Sequence, residues 1–169
     1  MKYPVSGNCK TSGSAENPMS LRTSPLTPEC IPFLESLENA VGLPFWGRDN
    51  YRKFLEDFPE YFGFCLISET VEKRLDGFSL ARAAFEDLEL LKIGVAPEFR
   101  RLRFGTLLLE DTIAEGKRRG STRCFLEVRK SNQTAIQFYS THDFRISGTR
   151  VNYYSNPVED AWIMDRRII

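Results

Sequence analysis

Apolar residues recur every three or four positions in some segments of the chain and every second position in others. The first spacing is typical of amphipathic helices and the second of half-buried strands. Helices are predicted from the Thr27-Pro28 cap to Gly42 and over residues 49–56, 105–119 and 132–141. Strands are predicted over residues 19–24, 61–68, 77–85, 88–95, 123–128, 144–153 and 160–167.

The order of these elements favours an α/β (α+β) fold with one mixed sheet and helices on its faces. Strands alternate with helices in the middle of the chain, whereas the elements near its two ends look like hairpins. A length of 169 residues suits one domain, which we expect over residues 19–169. Residues 1–18 mix Ser, Gly, Asn, Lys and Pro without periodicity, and we interpret them as a disordered arm or a remnant of cloning.

Composition narrows the classes of function. The 23 Lys and Arg residues balance the 23 Asp and Glu residues, so the chain lacks the net positive charge on which a dedicated nucleic-acid binder depends. No apolar run approaches the roughly 20 residues that span a bilayer. The N-terminus also lacks an apolar signal-peptide core. We therefore expect a cytoplasmic protein, a monomer or weak homodimer, that binds neither nucleic acid nor membrane.

The cysteines and the single histidine predict reduced thiols and no metal site. Cys9, Cys30, Cys65 and Cys124 are scattered without a C-x-x-C pair, and His142 alone cannot complete a Cys/His set. Cys65 and Cys124 stand among strand-like residues, so we expect them to be small buried apolar groups. His142 is interpreted as a surface turn residue.

A basic turn joins the strand at 88–95 to the helix at 105–119. It reads Ala-Pro-Glu-Phe-Arg-Arg-Leu-Arg-Phe-Gly over residues 96–105. Such a turn directs backbone N–H groups of the helix start toward an anion. Arg100, Arg101 and Arg103 add charge that suits a phosphate ligand. A solvated basic turn without a ligand is the alternative interpretation.

A second motif follows in the next strand and helix. It reads Phe-Leu-Glu-Val-Arg-Lys-Ser-Asn over residues 125–132, then Ala135-Ile136 and Phe138-Tyr139. Glu127 stands in an apolar strand, where a carboxylate is costly unless it is paired or has a function. One alternative to a functional role is a simple ion pair with Arg129 or another arginine.

These two motifs together resemble the GNAT superfamily of N-acetyltransferases, most of all the ribosomal-protein alanine N-acetyltransferases. The resemblance spans about residues 19–168. Arg100, Arg103 and Gly105 occupy the three specified positions of the family pattern Arg/Gln-x-x-Gly-x-Gly/Ala, so one small residue is missing. The resemblance implies a GNAT fold, with a mostly antiparallel twisted sheet of about seven strands, helices on both faces and a splayed central strand pair.

The resemblance implies acetyl-CoA as co-substrate and no metal. Arg103 stands where the family has glycine, and it adds charge that suits a phosphate but also adds bulk and disfavours a positive φ. Either its side chain points outward and binding survives, or the coenzyme site is weakened. Members of the family have a bulge that splays two strands, and the resemblance places it at Gly94. The alternative is a glycine that is tolerated at a crowded core position. The implied coenzyme contacts are Ile93, Gly94, Val95, Arg100, Arg101, Leu102, Arg103, Phe104, Gly105, Thr106, Asn132 and Tyr139.

The same resemblance assigns the catalytic roles. It makes Glu127 the general base for the substrate ammonium and Tyr139 the acid that protonates the departing thiolate. An N-terminal amine has a reference pKa of about 8, so most of it must lose a proton before it attacks. The alternative for Tyr139 is plain packing at the end of its helix.

Three aromatic residues are implied to bind the acceptor. Tyr153 and Tyr154 resemble the Asn-Tyr-Tyr end of alanine acetyltransferases, and Trp46 resembles their Pro-Trp loop. Tyrosines of a hairpin can clamp a peptide backbone with hydroxyl groups and ring faces, whereas packing in the core is the alternative. In contrast, His142 and its neighbours depart from the Leu-Gly-Phe that is usual in the family.

We therefore expect an N-acetyltransferase that acts on a primary amine by direct attack. The preferred acceptor is the N-terminal α-amine of a protein such as a ribosomal protein. A small amine is the alternative acceptor within the same class. An acyl-CoA-binding module with weak catalysis is the alternative from another class.

Overall fold

A computed structural model of the protein describes residues 22–67 and 75–168. The strands are β1 (Ser24–Pro25), β2 (Tyr61–Ile67), β3 (Leu75–Ala84), β4 (Asp87–Val95), β5 (Arg123–Arg129), β6 (Arg145–Ser155) and β7 (Val158–Arg167). The helices are α1 (Ile31–Val41), α2 (Arg48–Glu56), α3 (Phe104–Arg118) and α4 (Gln133–Ser140). Among the described residues, no helix is both long and apolar enough to cross a membrane.

The seven strands form one sheet in the order β1-β2-β3-β4-β5-β7-β6. Neighbouring strands are antiparallel except for β4 and β5, which are parallel. Helices cover both faces of this sheet. Leu109 of α3 and Tyr139 of α4 pack with Leu90 on one face, whereas Leu34 of α1 packs with Phe78 on the other. The predicted mixed, mostly antiparallel sheet with helices on both faces is confirmed.

Most predicted elements agree with the structure to within two residues, and the first strand is the exception. It was expected at 19–24. The described residues show a strand at Ser24–Pro25, and residues 1–21 lie outside the described part of the chain. The predicted arm at 1–18 and the turn between β2 and β3 therefore carry no structural description. Pro28 starts a short 3-10 helix before α1, and Gly42 ends α1 at φ 74°.

The central pair of strands parts after its first half. Parallel pairing runs from Asp87 opposite Arg123 to Leu90 opposite Leu126. Beyond that rung β4 stays paired with β3 as far as Val95, and β5 stays paired with β7 as far as Arg129. The backbones of β4 and β5 therefore diverge and leave a wedge-shaped gap between them, which we call the wedge. This confirms the predicted splayed strand pair.

The bulge that accompanies this wedge lies at Leu91, not at Gly94 as expected. In the pairing of β3 with β4, Leu80 faces Lys92 while the adjacent Ala81 faces Leu90, so Leu91 is the extra residue. Gly94 has a different reason to be small. A Cβ there would lie 3.0 Å from Cγ2 of Val41 in α1, so this glycine permits close packing of the helix.

Candidate active site

The basic turn places two arginines in left-handed backbone conformations. Arg101 has φ 64° and Arg103 has φ 66°, and both are exposed. Arg103 is the N-cap residue of α3, so its backbone adopts the conformation that glycine favours while its side chain remains in solvent. Arg100 donates from Nε to the carbonyl of Val95 at 3.2 Å, which ties the turn to the end of β4.

The start of α3 is held by packing on both sides. Phe104 is buried and stacks on Phe99 with ring centroids 5.4 Å apart. A Cβ on Gly105 would meet Cζ of Phe138 at 3.4 Å, so this glycine allows α3 to approach α4 closely. Leu102, in contrast, is exposed.

Backbone donors at this helix start point out of the helix. The first α-helical bond near the turn runs from the N–H of Leu107 to the carbonyl of Arg103 at 3.0 Å. The N–H groups of Phe104, Gly105 and Thr106 therefore precede the helical ladder, and the positive end of the helix dipole lies beside them. This arrangement can hold a phosphate or pyrophosphate.

Glu127 lies in β5 one residue beyond the last rung shared with β4. Its neighbours Leu126 and Val128 belong to the core against α3 and α4, so Glu127 projects to the opposite face of the sheet. The side chain is 12% exposed, and its Oε1 lies 2.5 Å from Nε of Arg150. An ion pair with an arginine, which was the alternative to a functional role, is therefore present and involves Arg150.

Two tyrosines of the β6–β7 hairpin surround this carboxylate. A hydrogen bond to Glu127, followed by burial, raises the pKa of Tyr153 to about 12. Tyr153 is 46% exposed, so it is not a core residue, which removes the core-packing alternative for this tyrosine. Tyr154 lies more deeply, with Arg129 placed 4.0 Å from its ring centroid, and burial raises its pKa.

Tyr139 lies in the core on the face of the sheet that α3 and α4 cover. It packs beside Phe138 and Phe144, with ring centroids 5.4 and 5.7 Å away. Burial raises the pKa of Tyr139, and Tyr154 adds to that effect. Tyr154 in turn interacts electrostatically with Glu127. Tyr154 thus interacts electrostatically with both predicted catalytic residues.

Asn132 has a structural role at the start of α4. It is the N-cap of α4, and its Oδ1 accepts a hydrogen bond from the N–H of Ala135 at 3.1 Å. Asn132 itself is exposed. Ile93 and Val95, the other predicted main-chain contacts besides Gly94, pack toward α3 from the parted half of β4.

Trp46 lies in the α1–α2 loop (residues 42–47) and is held by aromatic contacts. Its ring stacks on Tyr51 at 6.3 Å and meets Phe54 edge-on at 5.8 Å. Its carbonyl accepts a hydrogen bond of 2.6 Å from Nδ2 of Asn50. The loop lies on the same face of the sheet as Glu127, because α1 and α2 pack on the face opposite α3.

A buried charged cluster was missed by sequence reasoning. Lys92 of β4 and Glu38 of α1 form an ion pair of 2.5 Å, and Tyr51 of α2 donates to the same carboxylate oxygen at 2.5 Å. All three side chains are buried. A lysine inside an apolar strand was the available signal, but its partners stand 54 and 41 positions away in the chain.

His142 lies in a turn, as expected, but it is half-buried because it connects α3 with α4. Its Nδ1 lies 2.7 Å from the carbonyl of Phe138 and its Nε2 lies 3.1 Å from Oγ1 of Thr106. The carbonyl can only accept, so Nδ1 donates to it, while Nε2 and the hydroxyl of Thr106 share the second hydrogen bond. Asp143, which follows, occupies φ 66°.

Cys65 and Cys124 are buried, as expected. Within the described parts of the chain, no group of three His, Cys, Asp or Glu side chains is placed to hold a metal ion.

Known proteins resemble this chain in sequence. A model of the acetyltransferase (GNAT) family matches residues 31–144. The ribosomal protein bS18-alanine N-acetyltransferase of Salmonella typhimurium is 37% identical over 97 residues, which are 56% of this chain and 66% of that protein. The chain thus matches slightly less than two thirds of that relative's length.

Solved structures resemble it as well. The ribosomal-protein-S18-alanine N-acetyltransferase from Escherichia coli has a TM-score of 0.76 at 28% identity, covering 87% of this chain and 93% of that one. Arabidopsis thaliana NAA60 in complex with acetyl-CoA has a TM-score of 0.79 at 14% identity, covering 88% of this chain and 99% of that one. The second likeness concerns the fold alone.

Proposed function

The chain belongs to the acetyltransferase (GNAT) family, and from this premise we propose that it transfers the acetyl group of acetyl-CoA to the N-terminal α-amine of a protein such as a ribosomal protein. The observation that carries the proposal is the position of Glu127. It is the first residue of β5 beyond the point where β4 and β5 part. A carboxylate therefore lies beside the gap that opens between β4 and β5.

The residues around the wedge fit a coenzyme A thioester. The N–H groups at the start of α3 suit its pyrophosphate, and the exposed arginines of the turn add positive charge. Arg103 adopts a left-handed backbone conformation that glycine favours and its residue is exposed, which supports the outcome in which coenzyme binding survives. Asn132 and the parted strand residues Ile93, Gly94 and Val95 offer further polar backbone and side-chain groups.

In this mechanism, acetyl-CoA supplies the thioester carbon that the amine attacks. Glu127 takes the proton from the acceptor ammonium, directly or through water. Arg150 and Tyr153 already bond to Glu127, yet a carboxylate offers about four lone-pair sites, so it can also accept from an amine. The ion pair fixes the carboxylate in one orientation, which favours a short proton transfer.

Tyr139 supplies the proton that the thiolate leaving group needs. Burial raises its pKa, so the phenol keeps its proton at neutral pH. A backbone N–H of the parted half of β4 polarises the thioester carbonyl as an oxyanion donor. As the C–N bond forms and the C–S bond breaks, Glu127 accepts the first proton of the ammonium and Tyr139 gives its proton to the thiolate. The second proton that the attacking nitrogen loses then restores the phenol of Tyr139 through solvent.

The acceptor is proposed to be a protein N-terminus because of the groups near Glu127. Tyr153 is exposed beside the carboxylate, where its ring and hydroxyl can contact a peptide. Trp46 and Tyr154 border the same face. The similarity to an alanine N-acetyltransferase of ribosomal protein bS18 favours the same acceptor class.

The test is acetylation of a peptide that begins with alanine. Release of CoA thiol is measured for the wild type, for Glu127→Gln and for Asp87→Asn, which alters a carboxylate at the other end of the β4–β5 pair. We expect Asp87→Asn to match the wild type and Glu127→Gln to lose at least about 100-fold in kcat. Equal rates for wild type and Glu127→Gln would show that the mechanism is wrong. A panel of small amines tests the other acceptor class.

A further inference from the structure

We propose, on the basis of the acetyl transfer proposed above, that Lys92 is a positioning residue that holds the α1–α2 loop against the parted half of β4. This loop carries Trp46, and the strand carries the main-chain groups assigned to the acetyl group. The tether therefore sets the distance between the acceptor side and the coenzyme side of the reaction.

The bulge in β4 is what turns Lys92 toward the loop. Leu90 packs on the α3 face, and regular alternation would place Leu91 on the opposite face and Lys92 back toward α3. The extra residue at Leu91 breaks this alternation. Leu91 packs against the core residues under α1 and α2, and Lys92 bonds to Glu38 of α1. Both side chains therefore face these two helices.

The ammonium of Lys92 has three donors, and three acceptors surround it. Its Nζ lies 2.5 Å from Oε1 of Glu38, 2.5 Å from the carbonyl of Pro44 and 3.1 Å from the hydroxyl of Tyr51. Glu38 belongs to α1, Pro44 to the loop and Tyr51 to α2. One side chain of β4 thus connects the helix before the loop, the loop itself and the helix after it.

The same ammonium also lies over the ring of Trp46. The distance from Nζ to the ring centroid is 4.1 Å, within the range of a cation–π interaction. Other bonds hold the two ends of the loop, from the N–H of Leu43 to the carbonyl of Glu38 and from Asn50 to the carbonyl of Trp46. Lys92 holds the middle, where Pro44 and the indole ring lie.

The charges in this cluster determine which variants are informative. Glu38 is fully buried, and its Oε2 has no hydrogen-bond partner in the described structure. Removing Lys92 alone would leave a buried carboxylate unpaired, which is strongly destabilising by itself. The double variant Lys92→Met with Glu38→Gln removes both charges at similar side-chain volume, so the loss of the tether can be separated from loss of folding.

Two readouts distinguish positioning from plain stability. The first is acrylamide quenching of Trp46 in a Trp162→Phe background, since these are the two tryptophans of the chain. The second compares KM for an alanine-starting peptide with the Kd of acetyl-CoA from calorimetry. The control is Ser79→Ala with Thr112→Val, which removes a buried hydrogen bond of 2.7 Å on the α3 face.

The double variant is expected to raise the quenching constant of Trp46 about twofold and KM for the peptide about tenfold, with Kd for acetyl-CoA within twofold of the wild type. The control is expected to change neither readout. Unchanged quenching, or equal changes in peptide KM and coenzyme Kd, would overturn the proposal. If the wild type acetylates no acceptor, the proposed function fails, and the quenching of Trp46 still decides whether Lys92 holds the loop.

Discussion

Nε of Arg150 lies 2.5 Å from Oε1 of Glu127, although the two residues belong to strands that are not neighbours. Strand β7 lies between β5 and β6, and in it Ala161 pairs with Arg150 while Ile163 pairs with Glu127. Paired residues share a face of the sheet, so the arginine reaches across a small alanine to the carboxylate. The hairpin that borders the acceptor side thereby fixes the candidate base.

Loss of this ion pair should impair catalysis more than folding. Because Arg150 is half-exposed, the pair contributes little to stability, but it sets the orientation of Glu127. We expect Arg150→Met to lower kcat/KM about tenfold with an unfolding midpoint close to that of the wild type. Arg145→Met, at the exposed start of β6, is the matched control for steady-state kinetics. Equal kinetics for the two variants would contradict the orienting role.

Titration of Tyr153 should report the charge of Glu127. The hydrogen bond to that carboxylate, with burial, raises the pKa of Tyr153 to about 12, above the reference value of about 10 for an unfolded chain. The associated stability is therefore complete below about pH 10 and is lost as pH rises through about 12. In Glu127→Gln the tyrosine should titrate closer to 10, which ultraviolet absorbance of tyrosinate can follow. The Tyr153→Phe variant identifies which part of the absorbance change belongs to Tyr153. An unchanged titration curve in Glu127→Gln would contradict the hydrogen bond between Tyr153 and Glu127.

Backbone strain at Arg103 should be measurable separately from its charge. Its φ of 66° is unfavourable for a residue with a Cβ and free of that cost for glycine. We expect Arg103→Gly to raise the free energy of unfolding by about 1 kcal/mol, whereas Arg103→Ala, which removes the charge but keeps the Cβ, should not. Denaturant titration measures both variants. An equal gain in the free energy of unfolding in both variants would assign the effect to the loss of the arginine charge.

The order of helices and strands could be predicted from periodicity because it depends on residues close together in sequence. The wedge and the pair Glu127 and Tyr139 came from resemblance, and periodicity alone gave no sign that β4 and β5 part. The bulge was expected at Gly94 because glycine is a common marker. The extra residue is Leu91, which no local pattern distinguishes from a regular strand residue.

The cluster of Lys92, Glu38 and Tyr51 escaped prediction for a different reason. Each residue has an ordinary local role, a polar position in a helix or an interruption in a strand, and only the packing of three elements brings them together. His142 is a similar case, since its neighbour Thr106 stands 36 residues earlier. Tertiary partners of this kind are not encoded in any spacing.

Burial of Tyr139 should remove one common cause of an alkaline fall in rate. Because burial raises its pKa, the phenol remains protonated and able to donate beyond the range in which a free tyrosine ionises. We therefore expect kcat of the wild type not to decline between pH 7 and about pH 10, and Tyr139→Phe to be slower at every pH by about tenfold or more. A decline near pH 10 that Tyr139→Phe lacks would contradict this protonation state.

The bridge made by His142 should couple α4 to the coenzyme side of α3. Its ring is hydrogen-bonded to the hydroxyl of Thr106, whose backbone N–H lies in the first turn of α3, so loss of the bridge should loosen that turn. We expect His142→Leu and Thr106→Val each to raise the Kd of acetyl-CoA by about threefold and to speed amide exchange at the start of α3. Because both variants remove one shared hydrogen bond, the double variant should bind acetyl-CoA as tightly as either single variant. Calorimetry on the three variants measures this, and fully additive losses would mean that the two residues act independently.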